Sequence, residues 1–256
     1  MLISLGVVVS YAVALGASAD ARGGVGQAPD CTRPYTDASP WNTAIPASAT
    51  YEANSAARVG AIGGNLSSDP TQFTYPVYYA SAATPKRAVT LSGWLSQSNA
   101  DGSTFANIQN ATVQVPVPAG AAPAAGSDAQ VIIIDLSTGD EWGFFNFGAA
   151  GAGFQATNGY RYNVGWNGAP TTNANGNGFV ARGAGVPYLA GLVRPCEVQR
   201  GSIEHALAFA YDAPAGTFVY PAGKSDGSGS GLGALPEGAR LQLDPALSDA
   251  QIGAWG

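Results

Sequence analysis

The chain has 256 residues, 46% hydrophobic and only 11% charged, with 35 glycines and 17 prolines. Charged residues make up about a quarter of an ordinary soluble domain, so this composition favours short strands joined by tight turns over a helical bundle. A formal net charge of -6, with Lys86 and Lys224 as the only lysines, leaves no basic stripe for phosphates and excludes nucleic acid as an expected partner.

In chain order, residues 2–17 form an apolar stretch ending in Ala17-Ser18-Ala19 and Ala19-Asp20-Ala21, small-residue patterns that signal peptidases cleave after. Residues 1–21 read as a signal peptide, although no Lys or Arg precedes the apolar run, and residues 22–30 as a flexible arm. Export then implies a secreted, extracellular protein without membrane attachment after cleavage. Strand candidates follow at 75–80, 87–91, 112–117, 129–136, 141–147, 160–164, 202–211, 217–220 and 239–243, each bounded by Gly, Pro, Asn or Asp. Only 55–62 and 247–254 offer short helices. The expected fold is all-β: a two-sheet, jelly-roll-like β-sandwich formed as a single domain by residues 31–256, with few short helices.

Two cysteines in an exported chain most economically pair as Cys31–Cys196, the alternative being a partner outside this chain. One histidine and two distant cysteines give no metal-ligand spacing, so neither metal nor cofactor is expected.

The single histidine, His205, lies in a stretch that alternates like a strand, with Ile203, Leu207, Phe209 and Tyr211 on its face and Glu204 on the other. It is either a hydrogen-bonded core histidine or a general base on a concave sheet face. Acidic residues cluster at Asp135, Asp140 and Glu141. An even-numbered turn would direct Asp135 to the side of Trp142 and Glu141 to the opposite side; an odd, bulged turn at Gly139 would set Asp135 beside Glu141, as a glycosidase needs.

Trp94, Trp142, Trp166, Tyr160, Tyr162 and Tyr188 suit either stacking on sugar faces or filling a core. Trp142 shares a strand face with Phe144, which fits the core, whereas Trp166 falls in a loop and is the better ligand contact. Among Arg182, Arg194 and Arg240, an arginine that neutralises a uronate carboxylate, with His205 or Tyr188 as base, would equip a β-eliminating polysaccharide lyase. The plainer alternative is salt bridging to Glu197, Glu204 or Glu237.

The stretches 39–45 (SPWNTAI), 185–195 (GVPYLAGLVRP), 201–209 (GSIEHALAF) and 235–241 (LPEGARL) resemble a family of exported, largely uncharacterised bacterial β-sandwich proteins, over about 31–245. The resemblance implies a β-sandwich with a carbohydrate-related role. Gln130 and Lys224 stand where some relatives carry histidines, which puts a multi-histidine mechanism in doubt, and relatives continue beyond Trp255-Gly256, which implies truncation at the C-terminus. The combined expectation is a secreted monomer acting on an extracellular polysaccharide or cell-wall glycan, with lyase chemistry ahead of hydrolysis. His205, Tyr188 and Arg182 would be catalytic, and Trp166, Arg194, Trp142, Asp135 and Glu141 would contact substrate. The alternative is a non-catalytic glycan-binding or cell-surface structural module.

Overall fold

The structure is a computed structural model that describes residues 31–46, 48–62, 72–244 and 246–248. The expected signal peptide and arm, and most of the expected helix at 247–254, lie outside them. Ten strands are described: β1 (Val77–Ala80), β2 (Lys86–Leu91), β3 (Trp94–Ser98), β4 (Phe105–Gln109), β5 (Thr112–Pro116), β6 (Val131–Asp135), β7 (Asp140–Phe145), β8 (Gly148–Ala150), β9 (Gly153–Ala156) and β10 (Asn158–Asn163). They form a six-stranded sheet in the order β1-β6-β7-β10-β3-β4 and a four-stranded sheet in the order β5-β2-β9-β8. Both sheets are mixed, because β1–β6, β3–β10 and β2–β9 pair in parallel. The architecture is thus the expected two-sheet, mostly β one, and it does not close into a barrel.

Alternation explains the packing between the sheets. On β2, Val89 and Leu91 point inward while Thr90 faces out; from the other sheet Leu95, Val131, Ile133, Trp142 and Phe144 join them in one core. The opposite face of the six-stranded sheet is buried as well, by a second cluster containing Ile132, Ile134, Tyr160, Tyr162, Phe179 and Tyr188. A sheet covered on both faces needs apolar residues on both sides of its central strands, which is why β6 reads Val-Ile-Ile-Ile without alternation.

The cover over that second face is irregular chain. Residues 31–46 form a strap, with Tyr35 N–H donating to Val164 O (2.8 Å) and Thr36 N–H to Trp166 O (2.9 Å). Residues 164–244 supply the rest, apart from one short helix, α2 (Pro195–Arg200). Here the expected strand at 202–211 is corrected: the segment is irregular, bends at His205 and joins neither sheet. Its Ala206 N–H donates to Trp41 O (2.7 Å) and its Ala208 N–H to Gly191 O (3.0 Å), so its backbone pairs with loops. Leu207 and Phe209, set on the face of His205 by alternation, are 44% and 52% exposed. The expected strands at 217–220 and 239–243 are likewise irregular, the first holding only the isolated bridge Phe218–Glu237.

The helix α1 (Ser55–Ile62) forms where expected. The helix α2, which the sequence reading missed, has Pro195 at its first position, Glu197 accepting from Arg194 N–H (2.9 Å), and Gly201 closing it in the left-handed region at φ 74°. Cys196 on α2 forms the expected disulfide with Cys31 of the strap, with Cα atoms 5.7 Å apart. Closing a loop of 165 residues contributes at most about 5 kcal/mol by loss of unfolded-chain entropy. Among the described residues no helix is long and apolar enough to cross a membrane.

Candidate functional site

Four places in the fold carry the side chains with chemical potential, and the first is the buried carboxylate of Glu141. The turn after β6 is even-numbered: Asp135 pairs with Asp140 and Ile134 with Glu141, so Asp135 and Glu141 face opposite sides of the sheet. Asp135 accepts from Ser137 N–H (2.9 Å) and Ser137 Oγ (2.6 Å), bonds that shape its own turn. Glu141 is fully buried beneath the loop layer and accepts from Tyr35 Oη (2.8 Å), Tyr160 Oη (2.5 Å) and Leu189 N–H (3.1 Å). Burial pushes its pKa up, against the pull of the Tyr160, Leu189 and Tyr35 hydrogen bonds and the Arg182 charge. Opposite Tyr160 sits Gly143, where a Cβ would lie 2.2 Å from the tyrosine ring; the phenol reaches Glu141 because that position has no side chain.

The second place holds Tyr188 and Arg182. The Tyr188 ring is packed between Tyr75 (4.7 Å) and Tyr160 (5.2 Å), and its N–H donates to Tyr160 Oη (2.5 Å). Burial raises the Tyr188 phenol well above its ordinary pKa, more than the Arg182 charge lowers it. A base at neutral pH needs the opposite shift. Arg182 donates to Ala190 O and Tyr188 O, each at 2.5 Å, and its guanidinium lies 4.9 Å from the centroid of Tyr75. It fastens the loop to itself and to β1's approach.

His205 belongs to the third place. Its side chain is 3% exposed, with Nε2 2.8 Å from Glu197 Oε1 and Nδ1 2.9 Å from Ala206 O. Both partners are acceptors, so both bonds form only when the ring carries two protons. Arg194 donates to the same Glu197 oxygen (2.7 Å) and to Thr32 O (2.9 Å). For Glu197 burial is the largest influence and acts upward, yet the combined bonds and charges of Arg194 and His205 hold its pKa below the ordinary value. This ion cluster abuts the disulfide and locks α2, the strap and residues 202–206 together.

Trp142 lies in the core between the sheets, stacked near Phe144 at 6.4 Å. Trp166 is a loop residue, as expected, and packs edge-on against Tyr162 (5.0 Å) and over Gly102. Arg240 donates to Thr43 O (2.5 Å). The structure therefore unites Tyr188 with Arg182, and Arg194 with His205, but keeps the two pairs on separate sets of partners. Among the described residues no three His, Cys, Asp or Glu side chains gather as a metal site.

The fourth place was not singled out from the sequence. On the outer face of the four-stranded sheet a groove of about 560 Å³ runs over β2 and β9. Ala88 and Gly153 are among its lining residues; Thr90, Ser92, Asn146, Gln155 and Thr157 offer hydroxyl and amide groups, and no lining residue is charged. A Cβ at Gly153 would stand 2.6 Å from Ala88 O, so this position admits no larger residue without a shift. Asn146 donates from Nδ2 to Thr157 Oγ1 (3.2 Å). Trp94, the first residue of β3 in the other sheet, is 44% exposed, and its backbone N–H donates to Asn158 Oδ1 (2.8 Å). Outward alternation of Ala88 and Thr90 was the only sequence signal for this groove, since β9 itself was not expected.

Compared with known proteins, the chain matches no family model, no curated protein and no solved structure.

Proposed function

We propose that the protein is an exported, non-catalytic module that binds a neutral glycan along the outer face of its four-stranded sheet. The observation that carries this reading is the groove over β2 and β9: five neutral hydrogen-bonding side chains in a lining with no charged residue. Sugars present rows of hydroxyls, which such amides and hydroxyls complement. The net charge of -6 and the absence of a lining cation disfavour a uronate polymer.

Export is supported by the apolar N-terminal sequence and the Cys31–Cys196 bond, which persists best in an oxidising compartment. The lyase alternative would need Arg182, Tyr188 and His205 to meet a substrate. Arg182 is taken up by two carbonyls, burial holds the Tyr188 phenol in its protonated form, and His205 is bonded on both nitrogens.

Pull-down on insoluble cellulose, chitin, xylan and β-1,3-glucan, with alginate and pectate in parallel, tests the reading. The module is expected to be retained by a neutral polymer, with no new reducing ends and no unsaturated-uronate absorbance. Gln155→Ala and Asn146→Ala should each weaken retention about three- to tenfold, the worth of one hydrogen bond. Turnover of alginate or pectate, lost in His205→Ala at unchanged stability, would restore the lyase in its place.

A further inference from the structure

We infer that the ligand of the outer groove is an extended, β-1,4-linked neutral glycan that crosses strands β2 and β9, held along both of its edges by two rows of side chains. This deepens the glycan-binding reading above and rests on it.

The register of the four-stranded sheet sets the rows. On the outer face Thr90 of β2 is paired with Gln155 of β9, and Gln155 with Gly148 of β8, so the first row runs across the strands. The second lies two residues further along the chain from each. Ser92 N–H donates to Ala156 O (3.1 Å) and Gly93 N–H to Thr157 O (2.8 Å), which sets Ser92 beside Thr157. Asn146 stands on the far side of Thr157, with its Nδ2 3.2 Å from Thr157 Oγ1 and Thr157 N–H donating to Phe145 O (2.9 Å). Thr90, Gln155, Ser92, Thr157 and Asn146 all line the groove. Between the rows Leu91 and Ala156 turn their side chains into the core, so the rows are separated by backbone rather than by side chains.

Spacing then selects the polymer. Neighbours within a row are separated by the distance between strands, about 4.8 Å, and an extended β-1,4-linked chain of pyranose rings advances by about 5 Å per ring. Each ring therefore meets a fresh hydrogen-bonding group at each strand it crosses. Along one strand, side chains of the same face recur only about every 7 Å and fall out of step with the rings. That same interval separates the two rows and admits a flat ribbon whose equatorial hydroxyls point to both edges. Hydroxyls and carboxamides donate and accept, as sugar hydroxyls do. A β-1,3-linked chain coils, so its hydroxyls do not keep step with a straight row. The lining carries no charge, which matches a polymer without carboxylates.

The test is calorimetric titration of the whole protein with cello-, chito- and laminari-oligosaccharides. Affinity for at least one β-1,4-linked series should climb from about two rings to about four and then level, because the rows span two to three strands, with laminarihexaose at least about tenfold weaker. Thr90→Val and Ser92→Ala on the line of β2, and Gln155→Ala and Thr157→Val on that of β9, should each weaken binding of the β-1,4-linked hexamer about three- to tenfold at unchanged melting temperature. Thr157→Ser keeps the hydroxyl and should bind as the wild type does. Equal or tighter binding of laminarihexaose, or losses confined to the two variants of one strand, overturns the crossing ribbon and leaves a glycan-binding groove in place. Silence of every oligosaccharide removes both.

Discussion

At the scale of single residues, the side chains most suggestive of catalysis act as internal fasteners. Glu141 illustrates the physical reason: a carboxylate with no solvent is tolerable because two phenols and an amide surround it. Glu141→Ala would leave those three donors unpaired and should cost about 3 to 5 kcal/mol in urea denaturation. A loss below about 1 kcal/mol would mean that the network contributes little. Gly143→Ala should be comparably harmful, since the new methyl meets the Tyr160 ring at 2.2 Å. Glu197 has the opposite titration behaviour to Glu141. Its folded pKa is depressed, so its contribution stands above the ordinary glutamate value and disappears as pH falls through the folded one. Glu197→Gln should therefore flatten the acid limb of a stability–pH curve; an unchanged acid limb would contradict the role of the Arg194–Glu197–His205 cluster.

Secondary-structure elements show what sequence patterning conveys and what it omits. Strands β2, β5, β7 and β10 were legible because hydrophobic residues recur there at the spacing of a pleated surface, and β6 because its unbroken apolar run is bounded by turn residues. Segment 202–211 carries the same alternation and is not a strand. Period-two spacing reports side-chain direction along any extended chain, whereas a strand also needs a neighbouring ladder, and this one finds Trp41 O and Gly191 O instead. Strands β8 and β9 escaped notice because Gly, Ala and Gln carry little hydrophobic signal. The signs of α2 were all present, in Pro195, Glu197 and Gly201, but a single helical turn shows no periodicity to find. The disulfide was read correctly and gives this scale its prediction. Cys31→Ser with Cys196→Ser should lower stability by about 2 to 5 kcal/mol, although Tyr35 and Trp41 still anchor the strap. An unaltered melting temperature would show that those anchors suffice alone.

Taken as a whole, the molecule has one central sheet with unlike coverings, a small sheet on one face and irregular chain on the other. If the irregular layer is a core in its own right, Ile132→Ala beneath it and Ile133→Ala between the sheets should each cost about 2 to 5 kcal/mol. An Ile132 variant costing under about 1 kcal/mol would reduce that layer to a loose cover. The two-sheet arrangement was legible in composition and turn spacing. The groove was not, because its lining of small neutral residues resembles that of any solvated strand. Its assignment as the working surface is tested most directly by recording amide chemical shifts while a neutral oligosaccharide, cello- or chito-hexaose, is titrated in. Shifts confined to Thr90, Ser92, Asn146, Gln155 and Thr157, with His205 and Arg182 undisturbed, are the predicted result; shifts centred on His205, Tyr188 and Arg182, with the groove silent, would contradict it.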